Sequence, residues 1–339
     1  MSAILNRRWI GAGLTVALLV LAPAYLNRFP YQMSVVTGGF FYAIMASSWA
    51  LLAGIAGQFS FAHMALMAIG AYTSGLLGRD LGTTPLMGIV IGTLMAGFVG
   101  LIIGLLCLRL RRAYLALFTI AFSEILRIAL LTEFQYTEGN NGLQLDALAP
   151  GVTPLSEYYL TLGLLLAVLA IMYWLTASKF GLFIKAMRED EEAASAMGVN
   201  VVRYKVLIFV ITSLIVGLAG GVFYHQVRII TPNTIELLQM SLVIAMAVIG
   251  GMESLVGAAL GAFIARITLE LLRQITIFGV TIELGIWRYA AFGLLLMFTL
   301  RFAQNGLIAP LIDRLFVRRE AVDTVARRRQ IRGEQGEAP

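Results

Sequence analysis

Glu124 and Arg127 stand three residues apart, Arg266 and Glu270 four apart, and each pair falls inside a long apolar run. At these spacings the partners share one helix face and can neutralise each other. That offsets the roughly 2.5 to 3.5 kcal/mol that an ionisable side chain costs in a bilayer interior. A structural pair facing the bundle interior is the first reading; contact with a zwitterionic solute is the second, and a proton or ion site on Glu124 or Glu270 a third. The two histidines, His63 and His225, lie far apart with no carboxylate at metal-ligand spacing. No Ser, Cys and His set stands out, so neither a metal centre nor a catalytic triad is expected. The three lysines precede Phe180, Ala186 and Val206, which excludes the Gly-Lys-Ser/Thr end of a phosphate-cradling loop. A non-enzyme without cofactor, unable to bind ATP in that way, is the expectation.

The elements that must position these residues follow from composition. With 59% hydrophobic and 13% charged residues over 339 positions, no soluble interior is large enough to hide the apolar side chains. Runs of about 20 apolar residues, enough to cross about 30 Å of hydrocarbon, recur along the chain. Ten spans are expected, near 9–26, 35–54, 60–78, 86–108, 113–131, 158–177, 206–225, 240–255, 257–275 and 288–308. Their apolarity is continuous rather than alternating, so the fold class is an all-α polytopic membrane bundle and not a barrel. Gly88, Gly92, Gly97, Gly100 and Gly104 supply small-residue spacing for close helix packing. Residues 1–312 form the membrane domain and 313–339 a basic cytoplasmic tail.

If the amino terminus is cytoplasmic, the inside segments hold 17 of the 25 basic residues, from Arg7 and Arg8 to the tail arginines ending at Arg332. This positive-inside bias places both termini in the cytoplasm. The net charge of +6 then reflects topology and anionic lipid, and Arg327-Arg328-Arg329 lacks the aromatic interleaving of a nucleic-acid surface. Arg7, Arg8 and Ala22-Pro23-Ala24 also resemble a secretory signal, but the proline in the cleavage motif favours a retained helix. The single cysteine, Cys107, excludes a disulfide within the chain.

Residues 178–205 are almost the only sizeable polar segment between spans. Helix formers run from Lys185 to Met197 through Arg188, Glu189, Asp190, Glu191 and Glu192. Ala193, Ala194 and Met197 make a small apolar patch, and Gly198 suits a helix C-cap. One short amphipathic helix, parallel to the membrane and docking a partner outside it, is expected; an ordinary solvated connector is the alternative. Gly54, Gly57, Gln58 and Ser60 interrupt the apolar run between the second and third spans, as Gly250, Gly251, Glu253 and Ser254 do between the eighth and ninth. Unwound backbone and amide side chains at comparable places in two halves often flank a translocation path. Gly57, Gln58, Ser60, His63, Glu124, Arg127, Gly250, Gly251 and Ser254 are therefore the candidate path residues, tight helix hairpins and a packed histidine being the alternatives.

Glu192-Ala193-Ala194 with Gly198 resembles the coupling loop that importer permeases insert into their ATPase subunits. With it, Gly54-Ile55-Ala56-Gly57-Gln58-Phe59-Ser60, His63 and Gly70-Ala71-Tyr72 resemble the signature of branched-chain amino acid importer permeases of the LivM type. Further similar blocks are Arg109-Leu110-Arg111 with Tyr114, Thr119, Phe122, Glu124 and Arg127, the turn from Thr137 to Leu143, and Gly250-Gly251 with Ser254, Gly257 and Gly261-Ala262. Glu138 and Glu253 stand where this family has glycine, Ala62 likewise, Leu182 in place of arginine and Ala258 in place of proline. The resemblance implies a homologous permease partner, two cytoplasmic ATPase subunits, a periplasmic solute-binding protein and a bacterial inner-membrane location. Branched-chain amino acids are the implied cargo, with urea, short amides and aromatic acids the family's other cargoes. A stand-alone secondary transporter or channel is the competing class.

Overall fold

Proline marks where several apolar runs become helices, because its fixed φ suits the first helical turn and its missing N–H costs nothing there. In the computed structural model, which describes residues 17–106, 112–277, 280–283, 285, 287–302 and 306–307, Pro30, Pro85 and Pro154 each open a long helix. Apart from single turns, the helices are α1 Pro30–Trp49, α2 His63–Leu81, α3 Pro85–Leu106, α4 Arg112–Thr132 and α5 Pro154–Ala177. Then come α6 Lys179–Glu189, α7 Glu191–Ala196, α8 Val201–Val227, α9 Leu237–Gly250, α10 Leu255–Leu271 and α11 Trp287–Phe302.

Among the described residues, five helices are long and apolar enough to cross a membrane: α1 with its π-helical extension to Ile55, α3, α4 from Tyr114, α5 and α8. The other expected spans coincide with helices that fall short by these measures. α9, α10 and α11 have 14, 17 and 16 residues, and α2 carries Arg79 and Asp80 in its last turn. The expected span 257–275 stops early, at Leu271, because a β-branched run takes over. Gln274–Ile277 (β3) pairs antiparallel with Val280–Glu283 (β4), Gln274 opposite Glu283. A second ribbon joins β1 Leu143–Gln144 to β2 Ile229–Ile230. Both ribbons depart from the all-helical expectation. Cys107, Arg109, Arg111, the first half of the first span and the basic tail lie outside the described residues.

α1 is the central helix and packs against α10, α5, α8 and α9. On one side, α8 lies against both α2 and α3. The glycines of α3 bring it close to both neighbours: a Cβ on Gly92 would meet the Gly70 carbonyl oxygen of α2 at 2.2 Å, and one on Gly100 would meet Ser213 Oγ of α8 at 2.1 Å. With no hydrophobic drive between helices in lipid, such backbone approach is what gives packing its energy. At the ribbon end, His225 Nε2 lies 2.7 Å from Ser74 Oγ and its Nδ1 2.6 Å from the Asp146 carbonyl oxygen, tying α2, α8 and the β1 loop.

Candidate functional site

Residues 178–205 do not form one helix. Asp190, with φ −151° and ψ 111°, breaks the segment into α6 and α7. Aspartate competes with the helical backbone for its own amides. Here its Oδ1 accepts from Glu192 N at 2.9 Å and Ala193 N at 3.0 Å, so it caps α7 instead of continuing α6. Gly198, at φ +86°, ends the turn, its N–H donating to Ser195 O. The apolar patch is divided: Ala194 is buried, while Ala193 is exposed and Met197 is 86% exposed. α7 thus presents Glu192, Ala193, Ala196 and Met197 outward at the tip of the segment.

α6 is set on the bundle by Ile184 and Met187, both buried, which leaves Arg188 directed at the two glycine-rich turns. Gly57, at φ +72°, lies so close that a Cβ would stand 3.1 Å from Arg188 Cγ. Arg188 also forms an ion pair with Glu253 of the other turn. Lys205, in the first turns of α8, reaches back to Glu191 at 2.6 Å, and its carbonyl oxygen accepts from Gln58 Nε2 at 3.3 Å. The turns also touch each other, since a Cβ on Gly54 would fall 1.9 Å from the Met252 carbonyl oxygen. Gly54, Gly57, Gln58, Arg188, Glu191, Lys205 and Glu253 therefore form one cluster at the root of α7. Lys205 is the member of this cluster that residue type and spacing did not single out, and nothing local in the sequence marks the contacts that join the cluster, between segments 65 and 147 residues apart.

Between Gly57 and Ala62 the backbone is irregular, and its polar groups are met from within the protein. Gln58 N donates to Leu52 O, Phe61 N to Thr119 Oγ1 at 2.9 Å, and Ala62 N to Ser60 Oγ, while Ser60 O accepts from Trp49 Nε1 at 2.8 Å. Ser123 Oγ donates to Phe61 O, fastening α4 to this segment. Gly250 and Gly251 are packed closely too, a Cβ on Gly250 falling 2.2 Å from the Gly257 carbonyl oxygen. Ser254 caps α10 through Gly257 N at 3.0 Å. His63 is 1% exposed beside the Ser48 backbone, and both of its ring nitrogens and Ser48 Oγ lack a hydrogen-bond partner among the described residues.

Glu124 and Arg127 pair at 2.5 Å as their spacing allows. They do so on an open face, with the Glu124 side chain 46% exposed, and not inside the bundle. Arg266 and Glu270 pair at 3.3 Å, and Glu270 also accepts from Tyr31 Oη at 2.5 Å and Arg273 at 3.2 Å. The candidate path residues are therefore not one lining. Gly57, Gln58, Gly250, Gly251 and Ser254 belong to the turn cluster, Ser60 and His63 to the buried segment beyond it, and Glu124 and Arg127 to the α4 surface.

A family model described as "Branched-chain amino acid transport system / permease component" matches residues 32–300. The branched-chain amino acid permease protein LivM of Escherichia coli strain K12 is 29% identical over 312 residues, covering 80% of this chain and 72% of the relative. LivM of Salmonella typhimurium is 27% identical over the same coverage. LivH of Escherichia coli strain K12 is 30% identical over 255 residues, 68% of this chain and 82% of the relative. No solved structure matches the chain. The matched region holds the turn cluster, α7 and the long apolar helices together, and the chain belongs to the branched-chain amino acid transport permease family, as a multi-pass, almost wholly helical membrane component and not an enzyme.

Proposed function

We propose that the chain is a permease subunit of an ATP-binding-cassette importer, moving branched-chain amino acids or a related small polar solute into the cytoplasm by alternating access. It pairs with a homologous permease, as the likeness to both LivM and LivH supports. Two ATPase subunits bind on the cytoplasmic side, and a solute-binding protein docks on the other. The observation that carries the reading is α7: a capped helix at the tip of a polar segment, with Met197 exposed and its root held by Lys205–Glu191, by Gln58 of one glycine-rich turn to the Lys205 carbonyl, and by Arg188 to Glu253 of the other. Force applied to α7 reaches α1, α8 and α10 through that cluster, a contiguous route by which a nucleotide-driven change at α7 biases the bundle between two states. Arginines engage both Glu124 and Glu270, so neither carboxylate is a free proton site, which disfavours a secondary transporter.

Uptake of radiolabelled leucine into vesicles carrying the whole assembly tests this. Glu192→Arg and Gly198→Pro are expected to abolish ATP-driven uptake while the protein still inserts and assembles. Normal uptake in both variants would remove α7 from the coupling role, and accumulation by the chain alone without nucleotide would remove the importer reading.

A further inference from the structure

A cavity of about 270 Å³ lies between α1, α9, α10 and the start of α11, well away from the turn cluster. Arg266 is 12 residues beyond Ser254 on α10, about 18 Å along the helix, so the cavity occupies the half of the bundle remote from α7. Three guanidinium groups line it, Arg266, Arg273 and Arg288, with Glu270 as the carboxylate among its lining residues. Glu270 is already shared by Arg266 at 3.3 Å and Arg273 at 3.2 Å. Arg288 has a neutral hydrogen-bond partner among the described residues: its Nη2 donates to Tyr289 Oη at 3.0 Å, and its Nε and Nη1 are buried without a hydrogen-bond partner among the described residues. Arg266 Nε is unpartnered in the same way, over the face of Tyr42.

Buried guanidinium N–H groups that are left unmade are costly, and a planar fork of donors matches a carboxylate or phosphate. We propose that this cavity is an oxyanion site, in which Arg288 and Arg266 hold a carboxylate or phosphate group. The volume is near the lower end of ligand pockets, about 300 to 1,000 Å³, which suits a single charged group and its immediate substituents. Two sources carry that chemistry, a small amino-acid solute in transit and an anionic lipid headgroup. Only the first rests on the importer reading.

Isothermal titration of the purified full-length chain at low ionic strength distinguishes them. The probes are L-leucine against leucinamide, which lacks the carboxylate, and dihexanoyl phosphatidylglycerol against dihexanoyl phosphatidylcholine, which has no net charge. Leucine binding that leucinamide does not share assigns the site to solute; phosphatidylglycerol binding that phosphatidylcholine does not share assigns it to lipid. In either case Arg288→Gln weakens binding roughly tenfold or more, the loss expected for a charge-assisted pair. Glu270→Gln removes the competing carboxylate, so it strengthens binding severalfold, a gain that a misfolded variant cannot produce. Absence of binding by both leucine and phosphatidylglycerol, binding of each no tighter than that of its control, or an unchanged or lower affinity in Glu270→Gln would overturn the site. Binding is read without transport, so its failure with intact ATP-driven uptake is distinct from failure of the importer reading.

Discussion

Glu138 and Glu253 both sit in turns, yet the backbone treats them differently. Glu138 has φ +57°, in the left-handed region that costs a residue with a Cβ about 1 kcal/mol or more. It keeps glycine's conformation without glycine's freedom. Glu138→Gly is therefore expected to hold or raise thermal stability in detergent, whereas Glu138→Val should lower it by about 1 to 2 kcal/mol, since branching at Cβ worsens the same strain. Glu253 has no such strain, and it uses its side chain to pair with Arg188. Gly57 presents both constraints together, φ +72° and Arg188 Cγ at 3.1 Å from an added Cβ. Gly57→Ala should cost about 1 kcal/mol in conformation and displace Arg188, reducing uptake more than stability. None of these distinctions can be read from residue type, because φ depends on the turn each residue closes.

At the scale of elements, the polar segment was legible as a helical connector but not as two helices. Its composition favours helix throughout from Lys185 to Met197, and the break arises from one side chain turning back on the amides that follow it. Asp190→Ala removes both capping bonds and should destabilise α7 by about 1 kcal/mol, with Asp190→Asn retaining most of the effect. ATP hydrolysis by the assembly should then continue with fewer solute molecules moved per ATP in Asp190→Ala. The pairs at the root of α7 are half exposed, with side-chain exposures of 32% and 72% for Arg188 and Glu253 and 18% and 42% for Lys205 and Glu191. Exposed pairs contribute about 0 to 1 kcal/mol, so a double-mutant cycle on Arg188 and Glu253 should show coupling in transport well above its coupling in stability.

For the whole molecule, α8 sets the axis. It runs 27 residues from Val201, beside the polar segment, to Val227, beside the β1–β2 ribbon, which is about 40 Å and longer than the hydrocarbon it must cross. Ser195 and Asn141 are both exposed and stand at opposite ends of that axis. Cysteines introduced by Ser195→Cys and Asn141→Cys, after replacing Cys107, should label from opposite faces, Ser195→Cys from the cytoplasm and Asn141→Cys from outside. Labelling of both from one face would overturn the arrangement, and reversed accessibility would overturn the orientation.

The sequence by itself determined the solvent and the predominance of helix, because apolar content and run length are local quantities that a bilayer reads directly. It also carried the self-neutralising pairs on α4 and α10, whose partners are three and four residues apart. Only the tertiary structure decided which face each pair occupies, that Glu270 serves two arginines and a tyrosine, and that Gly57, Arg188, Lys205 and Glu253 meet at one point. Those contacts join segments remote in the chain, and they exist because small residues let α1, α2, α3, α8 and α10 approach until backbone touches backbone.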